Sequence, residues 1–83
     1  MIRTPTIHLG GTSREQLNAD YRAAYDAVSE ALRVVQEVWP HDRDYFMQGT
    51  EAMREAHSQH CARVKALRAI KDQYERLVLA TDA

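Results

Sequence analysis

From Leu17 the apolar positions run Leu17, Tyr21, Ala24, Val28, Ala31, Val35 and Val38, in alternating steps of four and three. A second run passes through Met53, Ala56, His60, Val64, Leu67, Ile70, Tyr74 and Leu77. This spacing puts one apolar seam on each of two helices. Tyr25, Leu32 and Trp39 recur at intervals of seven beside the first seam and give that helix a second apolar edge. A lone pair of helices cannot cover both edges. The pattern therefore predicts a homo-oligomer, either a dimeric four-helix bundle or a larger ring of hairpins.

Punctuation along the chain sets the boundaries. Residues 4–9 alternate in character, with Ile7 and Leu9 on one face and Thr6 and His8 on the other, and read as a short extended arm. One strand is not stable alone, so the arm either lies on the helices or pairs with its copy. Gly10-Gly11 breaks it. Thr12-Ser13-Arg14-Glu15 matches a capping box, with Thr12 as cap and Glu15 reaching back. The first helix then runs to Trp39, because the residue before Pro40 is pushed out of helical geometry. Thr50 caps the second helix, and Glu51 complements its dipole. The expected organisation is one all-α domain, residues 1–83. It has an extended arm over 1–11, a helix over 12–39, a corner over 40–49 and a helix over 50–81. The two helices form a long antiparallel hairpin.

Composition narrows the function classes. A chain of 83 residues buries only about 60–65% of its unfolded surface, so its lone core is marginal. Cys61 is the single cysteine and gives no disulfide framework. No apolar run is long enough to span a membrane, and the first residues lack the apolar core of a signal peptide. The expected location is cytoplasmic. Eleven basic and twelve acidic side chains nearly cancel, which argues against bulk nucleic-acid binding. The charges are uneven, however. Arg63, Lys65, Arg68 and Lys71 form a basic window with no acid in it. A solvated helix face explains such a window; a small anionic ligand is the sharper alternative.

Several motifs resemble a known family. They are Ile7-His8-Leu9-Gly10-Gly11-Thr12-Ser13-Arg14, Trp39-Pro40, and Arg43-Asp44-Tyr45-Phe46 followed by Gln48-Gly49. They are similar to a family of small, uncharacterised phage and prophage proteins whose opening reads Ile-His-Leu-Asn-Gly-Thr-Ser and whose corner reads Arg-Asp-Tyr-Tyr-x-Gln-Gly. Gln59-His60 loosely matches a Glu-His pair in that family. This chain departs from the pattern at Gly10, where Asn is usual, and at Phe46, where Tyr is usual. The resemblance implies a phage origin and the interior of an infected bacterium. It carries no assigned activity.

Three constellations are chemically suggestive. Gly11, Thr12 and Ser13 open a helix, where free amides and the dipole favour an anion; a good helix start is the plainer reading. An antiparallel hairpin would bring this end beside residues 67–78, where Arg68, Lys71 and Tyr74 sit, with Tyr21 two turns in. Amides and cations suit a phosphate, and tyrosine rings suit a base. Arg43 and Tyr45, with Phe46 and His41, form either a stacking platform or a plug for the end of the bundle. His57, His60 and Cys61 invite a metal, but no fourth ligand is obvious, and His60 falls in the seam. The predicted ligand site is thus Gly11, Thr12, Ser13, Tyr21, Arg68, Lys71 and Tyr74, completed by Arg43 and Tyr45 of a neighbouring subunit. No metal or cofactor is expected. No nucleophile elbow or carboxylate pair marks an enzyme. Two readings follow. One is a phage protein that sequesters a nucleotide-type defence signal in pockets of a homo-oligomer. The other is an interaction module that docks on a phage or host protein through its spare apolar edge.

Overall fold

The computed structural model describes residues 2–82, so the first residue of the expected arm lies outside it. Helix α1 spans Arg14–Glu37, α2 spans Asp42–Tyr45, and α3 spans Thr50–Thr81. A 3-10 turn over Phe46–Gln48 joins α2 to α3. There is no strand among the described residues. The molecule measures 61 × 22 × 17 Å, with a radius of gyration of 18.3 Å. A compact chain of this length would have a radius of about 12 Å.

The ends of α1, the corner and the cap of α3 differ slightly from their expectations, each for a local reason. Ser13, not Thr12, caps α1: its Oγ accepts from the Gln16 amide at 3.1 Å. Ser13 and Gln16 have the same box spacing one residue later. The Gln16 side chain does not reach back but donates to Asp20 at 2.8 Å. Helix α1 ends at Glu37, two residues early, and the Val38 amide makes a tight bond to the Val35 carbonyl at 3.1 Å. The corner is not a plain loop, since it holds α2 and the 3-10 turn. Thr50 is the first residue of α3, not its cap. That place belongs to Gly49, at φ 96° and ψ 172°, a conformation that a side chain would strain.

The arm turns back on itself. The Gly11 amide donates to the His8 carbonyl at 3.1 Å. Ile2 and Arg3 then line a cleft with Ala69, Asp72, Gln73 and Arg76 of α3. The arm's contact is therefore made by its first residues. Ile2 and Pro5 are half-buried, whereas Ile7 and Leu9 are exposed.

The start of α1 meets the end of α3. Asn18 Nδ2 donates to the Val78 carbonyl at 3.1 Å and to Thr81 Oγ1 at 3.2 Å. Tyr21 lies on Tyr74 with ring centres 6.4 Å apart. Trp39, just past the end of α1, packs on His57 and His60. Along α1 the sheltered positions are Leu17, Asn18, Tyr21, Ala24, Tyr25, Val28, Ser29, Leu32 and Val35. Tyr25, Leu32 and Trp39 thus belong to the inner seam and not to a second edge. Ala31 and Val38, expected inside, are exposed. On α3 the seam continues through Lys71, and Ile70 is turned out. The core is thin: Leu32, Ala56, His60 and Thr81 are buried, and most other seam positions are only half covered.

Candidate functional site

The nine residues expected at the ligand site fall into four separate places within one chain, Arg43 and Tyr45 having been expected from a neighbouring subunit. Tyr21, Lys71 and Tyr74 are together in the seam, half-buried, along with Tyr25. The Lys71 ammonium sits 5.6 Å from the centre of the Tyr25 ring. A lysine whose stem lies in a seam while its head rests on an aromatic face is already engaged.

Gly11 and Ser13 line a different cleft with Ile7, His8, Leu9, Arg14 and Glu15, and Thr12 is exposed. Ser13 precedes Tyr25 by twelve residues, about 18 Å along a helix axis. The Ser13 hydroxyl is occupied by the Gln16 amide. The His8 ring covers Gly11, and a Cβ there would stand 2.7 Å from His8 Nε2. Arg14 and Glu15 bring one charge of each sign to the same cleft, which leaves it no net attraction for an anion. The expected meeting of helix start and basic window is therefore not found within one chain.

Arg43 is exposed on α2. Tyr45 is half-buried in a cleft with Asp42, Phe46, Gly49, Thr50 and Met53, at the far end of the molecule from Ser13. Tyr45 thus tucks against the start of α3, as an end plug would. Phe46 and Met47 remain exposed.

Arg68 belongs to a fourth place, which sequence reasoning missed. Gln36, Trp39, His60, Cys61, Val64, Lys65 and Arg68 line an open groove of about 480 Å³. Ligand sites run roughly from 300 to 1,000 Å³. The Trp39 indole is 46% exposed and packs on two histidine rings. His57 lies against it at 5.1 Å with planes 32° apart, and His60 meets it edge-on at 4.9 Å. His57 Nε2 donates to the Pro40 carbonyl at 3.2 Å, which ties the ring to the backbone beside the indole. The signals were present in the chain: Trp39 seven residues after Leu32, and Lys65 within the basic window. What was absent was their common level along the two long helices.

His57 and His60 thus pack on Trp39, and Cys61 is exposed at the same groove. Among the described residues no three His, Cys, Asp or Glu side chains are placed to share a metal ion. The resolved surface ion pairs lie elsewhere. Arg33 bridges Glu30 at 2.6 Å and Glu37 at 2.8 Å, and its hydrogen bond and charge hold the Glu30 carboxyl below its ordinary range.

No family model, curated protein or solved structure matches this chain. Function must be read from the surface itself. No helix among the described residues is long and apolar enough to cross a membrane.

Proposed function

We propose that this chain is a non-catalytic binding protein that works as a homo-oligomer. In this reading its long helices form an antiparallel hairpin, and one exposed flank of that hairpin docks on a second copy. The observation that carries the proposal is the surface area. A folded monomer of 9.5 kDa exposes about 5,050 Å². This chain exposes 6444 Å². The excess, about 1,400 Å², is larger than the roughly 800 Å² that each partner buries in a stable interface.

The location of the docking flank follows from helix geometry. Arg22, Tyr25 and Asp26 of α1 share a cleft with Glu75, Val78 and Leu79 of α3, which defines one polar side of the hairpin. At 100° per residue, Ala27, Ala31 and Val34 fall on the other side of α1, with Val38 directly after its last residue, and Ala66 and Ile70 on the same side of α3. All six are exposed. Ala27, Ala31, Val34 and Val38 repeat in steps of four, three and four, the spacing of a helix-packing seam. Their small side chains let two helices approach closely. A second copy offers the same flank, and two hairpins so joined make a four-helix bundle. The motif resemblance to small phage proteins gives this module its setting: an oligomer working inside an infected bacterium.

Light scattering at micromolar concentration tests the proposal. The expected result is a mass of at least two chains. A Val34→Glu, Val38→Glu double variant should fall to one chain with its helical circular dichroism retained. A well-folded wild-type monomer would overturn the proposal and leave the flank for a different protein. A double variant that keeps the wild-type mass would overturn the choice of flank.

A further inference from the structure

We propose that the Trp39 groove binds a small anion carrying a planar aromatic group, the chemistry of a nucleotide. The aromatic group would stack on the Trp39 indole, and Lys65 and Arg68 would take the anionic end.

Charge selects this groove among the clefts of the molecule. Its charged lining consists of Lys65 and Arg68 alone. Each of the other four described clefts carries a carboxylate: Asp26 and Glu75, Glu15, Asp72, or Asp42. Neither Lys65 nor Arg68 is within ion-pair distance of an acid among the described residues. Two cations held near each other without counter-ions raise the local anion concentration. Arginine adds a planar fork that matches a phosphate or carboxylate.

The aromatic half of the site is preorganised. An indole on a flexible loop would have to be ordered by the ligand, at an entropic cost. Here the ring is already set by His57 and His60, and His57 is itself tied to the Pro40 carbonyl. The ring nevertheless stays nearly half exposed, and that exposed surface lines the groove. A hydrophobe of this size left in an open groove that it shares with two cations suits a π-face, since base-on-aromatic stacking tolerates any base. Gln36 supplies an amide at the rim for a ring nitrogen or carbonyl.

The groove shares the polar side of the hairpin and lies away from the Val34–Val38 flank. Ligand binding and self-association are therefore independent, and either can fail without the other.

Trp39 is the only tryptophan, so its fluorescence reports on the site directly. The probes are adenosine monophosphate, adenosine and inorganic phosphate, titrated against the intact chain. The monophosphate should quench Trp39 emission saturably, and adenosine should bind at least tenfold more weakly. Phosphate alone should compete for the site without quenching. Lys65→Ala and Arg68→Ala, checked for unchanged helicity, should each weaken the monophosphate about tenfold, as expected when a charge-assisted hydrogen bond is lost. Calorimetry on Trp39→Phe should show a smaller loss, because a ring remains. No quenching by the monophosphate at millimolar concentration would overturn the proposal. So would equal binding of adenosine and the monophosphate, or wild-type affinity in both cation variants.

Discussion

Replacing Leu32 by alanine is the sharpest probe of the seam. Leu32 is 6% exposed and is the one large aliphatic side chain among the described residues that is buried. Truncating a buried leucine costs about 2–5 kcal/mol, the larger values arising where a closed cavity is left. Here the neighbours Val28 and Val35 are only half-buried, so water and side chains can fill the gap. The expected loss is therefore in the lower part of that range, about 2–3 kcal/mol. For 83 residues the total stability is roughly 4–12 kcal/mol, so this one change removes a large share. A domain of this size shifts its melting temperature by about 4–8 °C per kcal/mol, which predicts a drop of roughly 8–24 °C. Thermal melts by circular dichroism, repeated at several protein concentrations, make the measurement. Leu9→Ala, at a fully exposed turn, is the control and should change stability by less than about 0.5 kcal/mol. A Leu32→Ala loss as small as the control's would mean that the inner seam does not run through Leu32.

Other substitutions read separate features. Ser29 has a buried hydroxyl with no hydrogen-bond partner, so Ser29→Ala should raise stability by about 1 kcal/mol; a lower melting temperature would contradict this. Gly49→Ala places a Cβ at φ 96° with no side-chain contact to gain, and should cost about 1–3 kcal/mol in denaturant titration. Asn18→Ala removes both bonds to the end of α3. The Thr81 hydroxyl still donates to the Leu77 carbonyl, so the cost should be about 1–2 kcal/mol, with amide exchange rising first near Val78.

The element order was legible because its signals are local. Thr12, Pro40 and Thr50 act within one turn of themselves, and the two long helices lie within two residues of where these residues put them, although α2 in the corner was not foreseen. The inner face of α1 was legible through Leu17, Tyr21, Ala24, Val28 and Val35, but its edge at Ala31 and Val38 was not. Alanines and valines there span both the seam and the adjacent flank, and period alone cannot say which half of a wide apolar band turns inward. Ile70 and Lys71 show the same limit: hydrophobicity favours the isoleucine, yet Lys71 takes the sheltered place by lying along Tyr25. The residues expected at one ligand site are spread along the axis for a related reason. Helical spacing reports which residues share a face, not which share a level. Levels depend on the register between helices of 24 and 32 residues, which no local signal states. The pairings Asn18–Val78, Tyr21–Tyr74 and Tyr25–Lys71 put Ser13 level with the end of α3 and Arg68 far from it.

That ladder of pairings also dictates an order of events. The His57–Pro40 contact spans 17 positions and the Asn18–Val78 contact spans 60. Closing the longer loop from an open chain costs about 1 kcal/mol more entropy than closing the shorter one. Once the corner has formed, each further pair is a small local step. Folding accordingly zips from Trp39 outward, and unfolding frays from the opposite end, where Asn18, Arg22, Thr81 and Asp82 are the last rungs to engage and the first to release.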